Sequence, residues 1–490
     1  MSSSAARPAF LGIDLGTSQL KALLVTPDGQ GTRVLGRGRA RYPVTVSAQG
    51  QAQTDPEHWW RAAGTAVREA LADGDDGADV QGLAVAGQMH GVVLSDLAGT
   101  PLRPGILWLD RRAAAEAAYY GTLPGALTGP LGNQPSPGMA GPILRWLARH
   151  EPATVAAARW ALQPKDWLRL RLTGEAATDP TDASGTLLFD LARGTWATAL
   201  VQAVGVPEVL LPAIRDPATV AGHLLPVAAA YLGLPPGLPV ATGAADTAAA
   251  LFAAGLPGDA ALLTLGTGGQ WIVPAAPRPA AGLNAFRAIG GGCYHLAAVQ
   301  NMGQTINWVR TMLGVSWEQA YSAAARPWRA DTPVFLPFLT QERWDPSATG
   351  TWAGLTLGHD RDDLLRSALE GVAFLLRDRL GDLRAAGHDP ARVVLGGGGT
   401  RHPAWRQLLA DVLGLPLYPA PTTWLSATGA ARLAAAALGA GSPPAAPAAT
   451  PDAPADPIIP AAPPAVMSAA YDRYLTLRRT AGSAGTAPGR

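Results

Sequence analysis

The chain has 490 residues, 48% of them apolar and 15% charged, with a formal net charge of +1. That length exceeds what one core serves and that apolar content can fill more than one, so two folded units are expected and global disorder is excluded. Near-neutral charge with no basic block excludes an electrostatic footprint for nucleic acid or for a membrane surface.

The head, Met1–Pro8, lacks the apolar core of a secretion signal. From Phe10 an apolar run begins, Leu11-Gly-Ile-Asp-Leu-Gly-Thr-Ser-Gln-Leu-Lys-Ala-Leu-Leu-Val25, which stops at a glycine turn and resumes. It reads as a β-hairpin whose turn lacks side-chain bulk, so backbone N–H groups and hydroxyls can close round phosphate oxygens. Gly16, Thr17, Ser18 and Lys21 are the candidate phosphate contacts. Asp14 ends an apolar strand against this turn, a place where a carboxylate suits a hard magnesium ion; fixing its own turn is the plainer alternative.

Val34–Val46 reads as a third strand. A helix is expected over Pro56–Leu71, with Asp55 as N-cap and Pro56 in the first turn. A strand at Leu83–Ala86 runs into Gly87-Gln-Met-His-Gly91, a loop able to face a cleft. There His90 can donate to hydroxyls while Met89 supplies an apolar wall, although a lone His is more often packed or solvated. The segment Tyr119–Ser184 is more helical and inserted, with helices over Gly141–His150 and Lys165–Leu172, and Asp166, Asp179 and Asp182 fixing its turns. Strands alternating with helices imply an α/β layered domain.

The charge-free stretch 217–245 is broken repeatedly by Pro and Gly and reads as turns and short strands, not a membrane span. Leu234-Pro-Pro-Gly-Leu-Pro239 divides the chain, and a new strand then opens the second half. Asp246 follows a glycine turn and opens a helix, whose positive end should keep the carboxylate ionised. It can orient a hydroxyl and take its proton; an N-cap is the alternative. A second hairpin, Leu262–Val273, repeats the cradle with Gly266, Thr267 and Gly268. Two cradles and a lone carboxylate suit transfer of a phosphoryl group from a nucleotide to a hydroxyl.

Cys293 is the only cysteine, so no intrachain disulfide can form, as befits a reducing cytosol. Arg361–Asp378 is an amphipathic helix, Arg392–Leu395 a strand, and Trp405–Leu413 a helix. Between the last two, Gly396–Gly399 and Thr400 suit close approach to a nucleotide, with Gly397, Gly398 and Thr400 as contacts. The Ala/Pro-rich stretch 441–464 cannot pack a core, whereas Ala469–Arg479 returns as a helix that docks through Tyr471, Tyr474 and Leu475. Of 38 basic residues only Lys21 and Lys165 are lysines. Both fall inside motif segments, which suggests positions where a compact ammonium fits and a guanidinium does not; chance survival is the alternative.

The ordered set Gly-Ile-Asp-Leu-Gly-Thr-Ser, Gln-Met-His-Gly, Ile-Leu-Trp-Leu-Asp-Arg-Arg, Pro-Lys-Asp-Trp-Leu-Arg-Leu-Arg-Leu-Thr-Gly, Gly-Ala-Ala-Asp-Thr-Ala, Thr-Leu-Gly-Thr-Gly-Gly and Leu-Gly-Gly-Gly-Gly-Thr resembles the FGGY-type carbohydrate kinases, the glycerol-kinase and xylulokinase group. The resemblance runs from about Phe10 to Ala440. It implies an α/β fold of two actin-like (ribonuclease H-like) domains, each a five-stranded sheet with helices, closing on a central cleft. The division it suggests is a head at 1–9, a sugar-binding domain at 10–236 with a helical insertion near 115–185, a nucleotide-binding domain at 237–440, a strap at 441–466 and a terminal helix and tail at 467–490.

The resemblance further implies ATP and Mg2+ as cofactors, Asp246 as catalytic base and Asp14 as the metal residue. It places the sugar against Met89, His90, Gly91, Trp108, Asp110, Asp246 and Thr247. Met89-His90-Gly91 points to D-xylulose, phosphorylated to the 5-phosphate; a cytoplasmic location and a homodimer are the further expectations. Leu109, Thr247 and Gln341 depart from the usual pattern and bear on which sugar is taken. Other acceptors (ribulose, fuculose, gluconate, glycerol) share the chemistry. An actin-like or chaperone-like nucleotide-gated binding protein shares the scaffold, but the Met-His-Gly and Gly-Ala-Ala-Asp segments argue against it.

Overall fold

The computed structural model describes residues 7–28, 31–74, 77–256, 258–340, 342, 349–440 and 456–484. The first half opens with β1 (Arg7–Leu15), β2 (Gln19–Asp28) and β3 (Gly31–Arg41), an antiparallel meander. β1 starts at Arg7, three residues before the expected start at Phe10, because the Arg7 N–H is held by the Gly77 carbonyl at 2.9 Å. Helix α1 (Pro56–Ala72) is capped by Asp55, whose carboxylate accepts from the Glu57 N–H; such a cap contributes about 1 kcal/mol. It lies over β2 and β3 and drives Trp59 fully into the core. Strand β4 (Ala78–Gly87) then pairs in parallel with β1.

After β4 comes the insertion, which contains α2 (Ala140–His150), α3 (Pro164–Thr173) and α4 (Pro180–Ala183). The chain returns through β5 (Val220–His223), β6 (Pro239–Ala241) and β7 (Ala244–Ala245). The order β5-β6-β4-β1-β2-β3, with β7 also on β4, makes a seven-stranded sheet. Pro239–Ala241, expected to open the second half, thus closes the first: Val240 pairs with Leu83. The turn at Pro235–Gly237 lies in the connection between antiparallel β5 and β6, after a short helix over Pro226–Leu232, so its Pro/Gly signal marks a turn within one sheet.

Helix α5 (Asp246–Ala254) leads to β8 (Ala260–Leu265), β9 (Gly269–Ala275), β10 (Asn284–Arg287) and β11 (Cys293–Val299). Next come α6 (Gly303–Met312), α7 (Arg361–Ala385), β12 (Arg392–Gly396), α8 (Pro403–Leu413), β13 (Leu417–Pro419), α9 (Leu425–Ala437) and α10 (Pro464–Ala484). The sheet order β10-β11-β9-β8-β12-β13 has six strands. Its β11-β9-β8-β12-β13 core repeats the β3-β2-β1-β4-β6 core of the first sheet. The expected five strands are therefore present in each half, with extra edge strands. Helix α7 runs past Asp378 because Leu380 and Leu383 extend its buried stripe. Helix α10 docks as expected: Tyr474 is fully buried against Phe374, with ring centroids 5.5 Å apart, and Arg478 pairs with Asp378. Cys293 is a buried free thiol. Most of the Ala/Pro strap, 441–455, lies outside the described residues, as does Gln341.

The sequence pattern did not announce how the halves meet. Helix α9 follows the last strand of the second sheet yet packs on β1, β4 and β2 of the first. It crosses α5, and one hydrophobic cluster joins both helices to Phe10, Leu23 and Val25 on one sheet and Leu262, Ile272 and Val394 on the other. The approach is close enough to exclude side chains. A Cβ on Gly12 would sit 2.0 Å from the Ala427 carbonyl oxygen, and one on Gly429 2.0 Å from that of Ala249.

Candidate active site

Asp246 is the first residue of α5, with Ala245 at the cap, so it is not itself the N-cap. One carboxylate oxygen accepts from the Thr247 N–H at 2.6 Å and from the Thr247 hydroxyl at 3.1 Å. The side chain is half-buried rather than sealed. The helix end was expected to keep it ionised in the usual carboxylate range. Instead, burial and then the charge of Asp14 raise its pKa to about 7, against the pull of the Thr247 hydrogen bonds and Lys21. Removing water from a carboxylate facing another carboxylate outweighs a helix dipole.

Asp14 stands opposite Lys21 in the β1–β2 register, and the Lys21 ammonium donates to it at 3.1 Å. The hairpin turn between them is closed by the Gly16 N–H bonding the Gln19 carbonyl at 3.2 Å, and the Tyr42 hydroxyl donates to the Gly16 carbonyl. The Thr17 hydroxyl accepts the Trp108 indole N–H at 3.0 Å, so its own proton is directed elsewhere. Ser18 is exposed on the same turn. Asp14 is 5% exposed, and its charge reaches Asp246 with Lys21 as the nearby cation. Two facing carboxylate groups with hard oxygens fit a divalent cation at this place, and Asp14 would hold it.

The second cradle faces the same helix start. The Gly266 N–H donates to the Gly268 carbonyl at 2.8 Å, and the Gln304 N–H at the start of α6 donates to the Thr267 carbonyl at 3.0 Å. Gln270 joins this hairpin to the acid group's neighbour: its amide oxygen accepts from Thr264 at 3.4 Å and from Thr247 at 3.5 Å. Behind the cradle, Glu342 is 1% exposed and accepts from the Gln300 and Asn301 N–H groups at 2.9 and 2.8 Å. Sequence reasoning missed Gln270, Gln304 and Glu342. Gln270 could have been found from its place opposite Thr264 in the hairpin register; Glu342 gave no local signal. The glycine loop follows β12 as expected. Gly397 has φ 91°, and a Cβ there would lie 2.4 Å from the Leu265 carbonyl oxygen, so the loop closes directly behind the second cradle. The Thr400 hydroxyl donates to the Gly397 carbonyl at 2.8 Å, with Gly398 between them.

Met89 and His90 lie just beyond β4. His90 adopts φ 75°, unusual for a side chain other than glycine and a mark of a constrained, functional turn. Its N–H donates to the Gln163 side chain at 2.9 Å and its Nδ1 lies 2.7 Å from the Gly185 carbonyl, which fixes Nδ1 as a donor. The second domain covers this loop: Phe286 lies 5.9 Å from the His90 ring, and the Tyr294 hydroxyl reaches the Met89 sulfur at 3.8 Å. Gly91 packs against Pro164. Trp108 is half-buried beside Thr17.

Asp110, two residues after Trp108 in the chain, is held within the protein. It is 1% exposed, and its oxygens accept from the Ala52 N–H at 2.6 Å, the Arg112 N–H at 2.8 Å and the Arg112 guanidinium at 2.9 Å. Its carboxylate ties the Ala52 and Arg112 backbone and the Arg112 side chain to the loop that carries Trp108.

The FGGY family of carbohydrate kinases, N-terminal domain, matches residues 9–253, and its C-terminal domain matches residues 261–438. The chain is 36% identical over 438 residues to a xylulose kinase of Escherichia coli, covering 87% of this chain and 89% of that protein. It is 33% identical over 450 residues to a xylulose kinase of Streptomyces coelicolor, covering 89% of each. Among solved structures, xylulose kinase from Rhodospirillum rubrum aligns with a TM-score of 0.85 and 31% identity over 98% of this chain and 100% of that one. Among the described residues, no helix is long and apolar enough to cross a membrane.

Proposed function

The chain belongs to the FGGY family of carbohydrate kinases, and from that premise we propose that it phosphorylates D-xylulose at its 5-hydroxyl with ATP in the cytoplasm. The observation that carries this reading is the convergence on Asp246. The Asp14–Lys21 pair of the first hairpin acts on its charge, while Gln270 of the second is bonded to its neighbour Thr247.

In the proposed reaction a sugar hydroxyl, held by Asp246, attacks the terminal phosphorus of ATP as the bond to ADP breaks, and its proton passes to the Asp246 carboxylate. Phosphoryl transfer needs little covalent help, so positioning and charge do most of the work. Lys21 and the Thr17 hydroxyl would meet the moving phosphoryl oxygens, and Gly266–Gly268 with Gly397, Gly398 and Thr400 would seat the rest of the nucleotide. A divalent metal at Asp14, magnesium by its preference for hard oxygen and retained water, would neutralise phosphate charge. The sugar would lie against Met89, His90, Gly91 and Trp108, with Thr247 beside the base. Coverage by Phe286 and Tyr294 would exclude water as a competing acceptor.

The test is ADP release with D-xylulose against D-ribulose, L-fuculose, gluconate and glycerol. A pocket that pairs each hydroxyl should favour D-xylulose in kcat/KM by a hundredfold or so. A higher kcat/KM for any other acceptor ends the xylulose assignment. Absence of sugar-dependent ADP release with all of them ends the kinase reading.

A further inference from the structure

Below the sugar-side loop the insertion buries a knot of charge that the mechanism above does not use. Lys165 and Asp166, Asp179 and Asp182 are all fully buried. A single ammonium lies 2.6 Å from Asp166, 2.7 Å from Asp179 and 3.3 Å from Asp182. Burial pulls the Lys165 pKa down, but the three aspartates outweigh it and hold the group charged. Arg169 is the other cation, 2.9 Å from Asp166. Burial raises the Asp182 carboxyl well above its ordinary range against the pull of Lys165. Only a compact ammonium fits between three carboxylates at these distances; the planar fork of arginine does not.

Two hydrogen-bonded arms leave this knot. On one side Asp179 accepts from the Thr181 N–H at 2.8 Å and from its hydroxyl, and the Thr181 hydroxyl oxygen accepts the Ala245 N–H at 2.8 Å. Arg169 donates to the Thr242 carbonyl at 2.6 Å. Together these grip both ends of the turn that delivers Asp246. On the other side the Gln163 amide donates to the Asp182 carbonyl at 2.7 Å and accepts the His90 N–H at 2.9 Å. Gly185, three residues after Asp182, holds the His90 ring.

We propose that Lys165 is a positioning residue: through Asp179 and Thr181 it sets Asp246, and through Asp182 and Gln163 it sets the His90 loop, so base and sugar loop share one buried reference. This rests on the kinase reading for its kinetic consequence, though not for its geometry. Misplacing a base by a fraction of an ångström slows turnover without removing binding groups.

The experiment compares Thr181→Val, Thr181→Ser and Lys165→Arg with the wild-type chain, reading kcat, both KM values, thermal midpoint and a crystal structure of Thr181→Val. Thr181→Val is expected to lose about tenfold or more in kcat with both KM values within about threefold. Its melting should remain cooperative, and the crystal structure should show Asp246 displaced. Thr181→Ser, which keeps the hydroxyl, should recover most of that loss, and Lys165→Arg should fail to support normal kcat. A Thr181→Val kcat within about twofold of wild type, equal impairment of Val and Ser, an unmoved Asp246, or full kcat in Lys165→Arg would each overturn the proposal. If the Lys165 variant does not fold, the Thr181 pair decides. If wild type phosphorylates no sugar, the kinase reading falls, and the position of Asp246 in the crystal still decides this one.

Discussion

In the first hairpin Asp14 stands opposite Lys21, one rung before the turn; in the second hairpin the same rung carries Thr264 and Gln270. The backbone plan is shared, and so is the strand order behind it. What differs is charge: one rung holds an ion pair beside the base, the other a neutral hydroxyl and amide that lean on the base's neighbour. A duplicated scaffold can thus supply two phosphate cradles and give them unequal chemistry by two side-chain choices. In the proposed reaction the first would act on the charge of the reacting groups, and the second would seat a neutral backbone loop against the nucleotide.

The largest expected effect tests the acid group on which both hairpins bear. Asp246→Asn should lower kcat by about a thousandfold or more while sugar and ATP KM values stay within a few-fold, read by coupled ADP assay. The contrast itself is tested next. Lys21→Met should cost about a hundredfold in kcat, and Gln270→Leu about tenfold or less. Equal losses in the two would mean that the hairpins are not functionally unequal.

The pH profile follows in size. Because the Asp246 carboxyl is raised to about 7, kcat/KM should rise with pH and level off above that value, falling about tenfold per unit below it. Lys21 lowers this pKa, so in Lys21→Met the acid limb should move to higher pH; the Gln270 variant should leave it in place. The smallest effect is on stability, where the helix crossing between the halves is compared with an exposed position on another helix. Gly429→Ala should destabilise by about 1–3 kcal/mol, since its Cβ would strike the Ala249 carbonyl. Gly381→Ala, in open space on α7, should stabilise by about 0.5–1 kcal/mol, both read from thermal or urea unfolding.

Both hairpins, α1, the glycine loop and the docking of α10 were legible because their signals are local: a glycine turn between apolar runs, a capping Asp, a buried stripe. The positions of Asp14 and Thr17 at the first hairpin and of Asp246 at a helix start were legible because each adjoins a local glycine turn. The rest depended on partners far along the chain. That Pro239–Ala241 belongs to the first sheet is decided by Leu83. That Asp110 is buried and hydrogen-bonded within the protein is decided by Ala52 and Arg112. The raised Asp246 carboxyl needs Asp14, and the role of Lys165 needs three aspartates that sequence spacing alone read as turn residues. Lysine scarcity hinted at that position without revealing its surroundings.

The paired helices at the junction of the lobes carry alanine at 248, 249, 250, 253 and 254 on one and at 427, 430, 431, 434 and 435 on the other. Methyl groups make shallow ridges, so the two helix backbones can approach closely, and Arg432 ties one to the Ala253 carbonyl of the other. Composition has therefore let the two sheets be spaced by the thickness of two bare helix backbones, so a longer side chain anywhere on this seam would wedge both halves apart.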